Sequence, residues 1–294
     1  VDTDVHHGDG TQDIFYHDPD TLYISFHQDG RTLYPGTGFP NEAGSPAALG
    51  TNINLPLLPG TGDEGVHRLF DGIIKPILED FEPEIIINSA GQDNHFSDPL
   101  ASMSVTAQGY ARLADKLKAD IAVLEGGYSV EAALPYVNTG IILAMAEMDY
   151  SNVIEPDQSG LRRQEEKCNA RVDELISQIG DLWTNRQKLS SEALAKCGET
   201  WSRRKNIYYD EEGISEEQIE TAHYCKKCRG YLTIRTAADN TRFGSQNAFI
   251  VIVDEDNCSS CRQKAYDEAL KEKMTGKWQY VFVQNKSNGN VESI

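Results

Sequence analysis

No run of apolar residues in these 294 positions is long enough to cross a bilayer, and no secretory leader is visible. The second absence bears only on the residues given, because Val1 is not Met. Basic residues are scarce in the first half. Residues 1–150 hold 6 Lys/Arg against 23 Asp/Glu, a net of −17, whereas residues 151–294 hold 21 against 23, a net of −2. Such an acidic half repels nucleic acid and attracts cations. General acidity for solubility accounts for it equally well. Cysteine is scarce too, six in all, and four of the six fall in two tight pairs. The length exceeds one average domain and is enough to bury a sizeable core.

The opening run Val1-Asp2-Thr3-Asp4-Val5-His6-His7-Gly8-Asp9-Gly10 is dense in groups that bind metals. Val1, Thr3 and Val5 alternate with Asp2, Asp4 and His6, the period of a strand. Asp4 and His6 then project to one side. A carboxylate and an imidazole converging there are half of a catalytic zinc site. A solvated acidic edge strand is the bland alternative. His7 alternates away from His6 and is expected to pack behind the site.

Further on, Val66, Leu69, Phe70, Ile73, Ile74, Ile77, Leu78 and Phe81 have the spacing of one buried helix face. A strand-like run, Glu84 to Asn88, empties into Ser89-Ala90-Gly91-Gln92-Asp93. A helix is predicted from about Thr106 to Lys118, a strand over Ile121 to Leu124, and a helix from about Val130 to Met148. Strand and helix in alternation predict an open, mostly parallel α/β sheet with helices on both faces. Ligands of such sheets sit beyond the carboxyl ends of the strands. Asp4, His6, Asp93 and Tyr128 all fall there. His95 reads as an exposed loop histidine.

The motifs DxDVHHGDGTQ, SFH with YPGTG, SAGQD with DPL and VT, and EGGY follow in that order over residues 1–148. Together they resemble the zinc-dependent histone deacetylase and acetylpolyamine amidohydrolase family. The resemblance implies a deacetylase/arginase-like sheet. It implies that Asp4, His6 and Asp93 are zinc ligands and that Tyr128 is the transition-state hydroxyl. It places Tyr34 as an aromatic wall and Leu100 as an apolar rim of an acyl-lysine tunnel. Asp2, Ser25 and Phe26, with main-chain oxygens of Asp4 and His6, match a site for a monovalent cation, usually potassium. The implied substrate is an acetylated cationic amine, acetyl-lysine or acetylpolyamine.

The chemistry suits that assignment. Amides are poor electrophiles and neutral water is a poor nucleophile; zinc with an open position treats both problems. Two carboxylates and one imidazole leave formal charge near zero, so the site leans on a separate general base. A tyrosine hydroxyl supplies an oxyanion donor worth about 3 kcal/mol. Family members carry an adjacent histidine pair upstream of the opening strand as base and electrostatic partner. This chain opens inside what should be a central strand, so the expectation is a fragment lacking its amino-terminal part and, as given, inactive. Asp2 and Asp9 match the carboxylates that orient those histidines.

A polar stretch from Asp149 to Gly160 reads as a linker. Leu161, Cys168, Val172, Leu175, Ile179, Leu182 and Leu189 then follow a 4-3 spacing. That stripe suits a coiled-coil or dimer seam over 161–189, or packing back on the first domain. Gly180 lies off the stripe and costs about 1 kcal/mol of propensity. Ser215 to Gln218 forms a capping box that predicts a short helix starting at Ser215. Cys225-x-x-Cys228 and Cys258-x-x-Cys261 are the frame of a four-thiolate structural zinc site. Strand-like runs over Tyr231–Arg235 and Ala248–Val253 lie between the pairs, and a helix pattern over Arg262–Met274 follows. This order resembles a treble-clef finger. Two disulfides or a redox pair are the alternatives. Cys168 and Cys197 have no partner at ligand spacing and read as free thiols of a reducing cytoplasm.

The expected organisation is residues 1–150 as part of a deacetylase-like domain, 151–205 as linker and long amphipathic helix, and 206–294 as a small α+β zinc-finger domain. Two function classes follow. One is a zinc amidohydrolase. The other is a non-catalytic deacetylase-like module that binds acyl-amines or proteins, with the finger as contact surface. No membrane or direct nucleic-acid contact is expected of the catalytic half. The 161–189 helix or the finger is the expected place for a homo-oligomer or a protein partner. A two-metal phosphoesterase would want more ligands at other strand ends than Asp93.

Overall fold

Parallel pairing organises the first part of the chain in a computed structural model that describes residues 1–209 and 212–294. Strand β1 (Tyr23–Gln28) pairs with β2 (Asn52–Leu57), and β3 (Ile87–Ala90) pairs with β4 (Ile121–Leu124), both in parallel. The opening residues join the two pairs. Asp2 bridges Ser25 on one side and Ser89 on the other, and the amides of Asp2 and Thr3 donate to Ile24 O and Ser89 O. The order is therefore β2, β1, the opening segment, β3, β4. Strands β1 and β2 are buried throughout, with Ile24, Phe26, Ile53, Leu55 and Leu57 in the core. The outer strand β4 leaves Ile121, Val123 and Leu124 exposed.

A short helix α1 (Asp9–Phe15) follows the opening segment. The apolar face over 66–81 is helical along its length, but in three pieces. These are α2 (Asp63–Leu69), a π-helical turn over Phe70–Ile74, and α3 (Lys75–Phe81). Pro76 has no amide hydrogen to donate one turn back, and the ladder widens there. Helix α4 (Ala107–Leu117) starts at Thr106, whose hydroxyl accepts from the Gly109 amide. Helix α5 (Leu134–Met145) begins later than the expected Val130, with Pro135 in its first turn.

The long helix α6 (Glu166–Cys197) settles the alternative left by its stripe. Val172, Leu175, Ile179 and Trp183 are buried in the same core as Leu69, Ile73 and Ile77. A Cβ on Gly72 would lie 2.6 Å from Ile176 Cδ1, so the Ile176 side chain fills the space that this glycine leaves open. The coiled-coil or dimer-seam reading is corrected: those side chains are spent inside this unit. The linker reading of 149–160 is corrected too. Val153 joins the core, Glu155 is buried, and Gln108 Nε2 donates to the carbonyls of Tyr150 and Val153.

Two compact units result, Val1–Ser191 and Glu192–Ile294. The second holds a six-stranded sheet in the order β10 (Val291–Ser293), β9 (Tyr280–Asn285), β8 (Gly244–Val253), β7 (Tyr231–Asn240), β6 (Ile214–His223), β5 (Thr200–Tyr209). Helix α7 (Ser259–Met274) connects β8 to its parallel neighbour β9. Phe249, Val251, Val253, Val281 and Val283 pack against Ala265 and Ala269. The helix expected at Ser215 is absent, because that stretch is β6. A short helix is marginal by itself, whereas β6 pairs along its whole length with β5 and β7. Glu220 on β6 also meets Arg203 and Lys205 of β5 at 2.5 and 2.7 Å. Among the described residues no helix is long and apolar enough to cross a membrane.

Candidate metal centre

The loops beyond the carboxyl ends of the opening segment, β3 and β4 bring Asp4, His6, Asp93 and Tyr128 together. His6 Nδ1 lies 3.1 Å from Asp4 Oδ1 and 3.1 Å from Asp93 Oδ2. One donor atom from each of the three lies within 4.8 Å of the others. Main-chain amides hold the carboxylates. Val5 N donates to Asp93 Oδ1 (2.8 Å), His6 N to Asp4 Oδ1 (2.8 Å) and Gly126 N to Asp4 Oδ2 (2.8 Å). Asp93 Oδ2 is buried and accepts no well-formed hydrogen bond. It meets the His6 ring nitrogen alone.

This donor set fits a divalent cation. Two buried carboxylates face each other with an imidazole nitrogen aimed between them, and one carboxylate oxygen has no other use. Space is reserved as well. A Cβ on Gly126 would stand 2.2 Å from Asp93 Oδ2 and 2.7 Å from Asp4 Oδ2, and one on Gly91 would stand 2.2 Å from Asp4 Oδ2. Burial alone would depress the His6 pKa, but hydrogen bonds and charge from Asp4 and Asp93 push it up to about 9. The field that favours a proton on Nδ1 also favours a metal ion. Burial raises Asp93.

Tyr128 is held by its backbone. Its amide donates to Asp98 Oδ2 (2.9 Å), and its ring stands edge-on to His6 with centroids 6.2 Å apart. The side chain remains 47% exposed. Partial burial, then Asp93 and Asp4, raise its pKa, so the hydroxyl is a donor at neutral pH. Asp2 is buried, accepting from Asp4 N (3.1 Å) and Tyr23 OH (2.9 Å), and burial pushes it up to about 7. Asp9 is exposed at the start of α1, where it accepts the Gly10 amide. Ser25 and Phe26 are buried in β1; the Phe26 amide donates to Asp2 O (3.3 Å), and Ser25 Oγ pairs with His27 Nδ1 (2.8 Å). Burial pushes His27 down to about 3. Tyr34 and Leu100 are exposed. His7 is buried between Thr37 and Gln12, as its alternation implied.

His95 departs from expectation. It is 1% exposed, and its Nε2 lies 2.8 Å from Glu155 Oε1. Burial opposes ionisation of Glu155, but hydrogen bonds from His95 and the Ala107 amide outweigh it and hold the carboxyl down to about 2. The sequence carried no sign of this pair, because Glu155 lies in the polar stretch taken for a linker.

In the second unit, Cys225, Cys228, Cys258 and Cys261 bring their sulfurs within 4.8 Å of one another, without a disulfide. The amides of Lys227 and Gly230 donate to Cys225 Sγ and Cys228 Sγ, each at 3.4 Å. Gly230 turns the knuckle at φ +85°, and a Cβ there would lie 1.7 Å from His223 O. Cys258 caps the amino end of α7. Amide hydrogen bonds lower Cys225, to about 6, and Cys258, whereas burial raises Cys261. Four sulfurs, two of them favoured as thiolates, fit a closed tetrahedral metal site.

The first unit is thus an α/β domain with a mixed carboxylate–imidazole candidate metal site at the carboxyl ends of parallel strands. Residues 1–143 match the histone deacetylase domain, so this part of the chain is similar to that family. A probable deacetylase of Archaeoglobus fulgidus is 52% identical over 166 residues, covering 53% of this chain and 46% of that protein. The acetoin utilization protein AcuC of Bacillus subtilis is 34% identical over 192 residues, covering 62% and 49%. The crystal structure of the HDA15 HD domain matches with a TM-score of 0.54 at 30% identity, covering 67% of this chain and 53% of that one. The chain spans about half the length of these curated relatives.

Proposed function

We propose that this chain contributes the metal-binding part of a zinc-dependent amidohydrolase that removes acetyl or similar acyl groups from lysine or polyamine amines. The convergence of Asp4, His6 and Asp93 beside Tyr128 carries the reading. When bound, zinc would supply a Lewis acid that polarises an amide carbonyl and acidifies water. Asp4, His6 and Asp93 would hold it, with the Gly126 and Val5 amides fixing the carboxylates. Tyr128 would donate its hydroxyl proton toward the carbonyl oxygen as negative charge develops. Asp2 with Ser25 and Phe26 is proposed to seat a monovalent cation, and Tyr34 and Leu100 to line the acyl entrance. The acidic surface suits a cationic amine, and the free thiols suit a reducing compartment.

A general base is still needed. His6 serves the metal, while His7, His27 and His95 are committed to Gln12, Gly38 and Glu155. Residues 1–294 alone are therefore proposed to be inactive without a further histidine pair. That same shortage supports the second reading, an acyl-amine-binding module with the finger as its contact surface. Calorimetry with an acetyl-lysine peptide separates the two: binding with no acetate released, even in the intact protein, favours the module. The metal reading has its own test. The chain should bind two zinc ions, and Asp93→Asn should bind one, still held by thiolates. Two ions retained by Asp93→Asn would sink the first site.

A further inference from the structure

An unbroken line of side chains runs from the interior of the first unit to the residue after Tyr128. Glu155 Oε1 meets His95 Nε2 at 2.8 Å, His95 Nδ1 meets Ser97 Oγ at 2.8 Å, and Ser97 Oγ meets Ser129 Oγ at 2.8 Å. The His95 and Glu155 side chains are 0% and 1% exposed. Glu155 is anchored in turn by the Ala107 amide at the head of α4 (2.5 Å) and by Gln158 Nε2 (3.2 Å).

The proton direction can be deduced. The Ser97 amide donates to His95 Nδ1 (3.2 Å), which requires a lone pair on that nitrogen. Nε2 then donates to the Glu155 carboxylate. Ser97 donates its hydroxyl to Nδ1 and accepts from Ser129. Every donor therefore points inward, from Ser129 to Glu155.

Two loops are fastened by this line. His95 lies two residues past Asp93, and Ser129 follows Tyr128. Other ties join the same loops: the Tyr128 amide to Asp98, and the Gln92 amide to Gly126 O (2.6 Å). The Tyr128 ring is too exposed for packing to place it. Its position depends on the backbone around it.

We propose that Glu155, acting through His95 and the Ser97–Ser129 hydroxyl pair, is a positioning residue that holds the Tyr128 loop against the Asp93 loop. The proposal rests on the reading of Tyr128 as the transition-state donor. A misplacement of about 1 Å at such a donor costs up to about a hundredfold in rate.

The test uses the whole chain with 3-fluorotyrosine at position 128, read by fluorine NMR and by amide hydrogen exchange. Ser129→Ala should broaden or shift the fluorine line and raise exchange of the Tyr128 amide by about tenfold, the release of a loop-level tie. Zinc content should stay at the wild-type value. Glu155→Gln and Ser97→Ala should act in the same direction, and Ser129→Thr, which keeps the hydroxyl, should restore the wild-type spectrum. In protein competent for deacetylation, Ser129→Ala should lower kcat about tenfold with KM unchanged. Wild-type exchange at Tyr128 in Ser129→Ala overturns the proposal, as does a rise spread evenly over the first unit. Loss of loop order with kcat unchanged leaves the tether standing and removes Tyr128 from the reaction, so the two readings fail separately.

Discussion

The two candidate metal sites solve opposite problems with different donors. In the first unit two buried carboxylates and a partly buried histidine come together from separate loops beyond parallel strands, and an exposed tyrosine faces them. In the second, four sulfurs bring a knuckle and a helix end together. The first arrangement can leave a coordination position open, and the second closes all four. The surroundings differ accordingly. The first unit has a core of large aliphatic and aromatic side chains that runs from β1 and β2 to α6. The buried core of the second consists of Phe249, four valines and two alanines. We expect the first unit to keep its fold without metal and the second to need its metal to fold.

The largest test of that contrast is metal removal. Binding energies of about 10–16 kcal/mol for structural zinc exceed what so small a core supplies. Chelation should abolish hydrogen-exchange protection from about residue 200 onward, β5 included, and leave the parallel sheet of the first unit largely protected. Protection of β7, β8 and α7 that survives complete removal of metal would erase the distinction.

The next effect sharpens the chemical side. In protein competent for deacetylation, Tyr128→Phe should lower turnover by about 10² to 10³, because it removes a donor made only in the transition state. Both zinc ions should remain. Equal rates would leave the first site a binding site only.

The smallest effect is that of pH on the first unit, read in chelated protein by urea denaturation. Burial pushes His27 down to about 3 and His67 to about 4, from an ordinary 6.5. The unfolded chain binds more protons than the folded one across that window. The part of stability these two histidines contribute is therefore full above pH 6.5 and is lost as pH drops through it, by up to about 1.4 kcal/mol per pH unit each. Asp2, raised to about 7 from 3.8, acts with the opposite sign below pH 7 and offsets about one of them. Glu155, held down to about 2 from 4.5, adds a further loss below pH 4.5. A urea midpoint unchanged between pH 7 and pH 5 would contradict the burial of these imidazoles.

Local spacing was readable wherever both partners sit within a few residues. Asp4 and His6 are two apart, across a bend rather than in the expected strand, with the His6 amide donating to Asp4 Oδ1, and each cysteine pair is three apart, so local backbone geometry brings their donors together. Periodicity also showed the alternation of strand and helix from 66 to 148. It failed at Ser215, where a capping box is a statement about an isolated helix end. Two neighbouring strands offered that backbone more hydrogen bonds than a short helix could.

By itself, then, the sequence determined which donors this protein owns, that they fall at strand ends, and that four cysteines form one set. Only the tertiary structure decided that Asp93 meets His6, that the stripe of α6 is spent on its own core, and that a histidine expected in solvent is buried against Glu155. The reason is physical. Asp93 lies 87 positions beyond His6 and Glu155 lies 60 beyond His95. Contacts over such separations leave no periodic trace along the chain, because they depend on how the whole core closes.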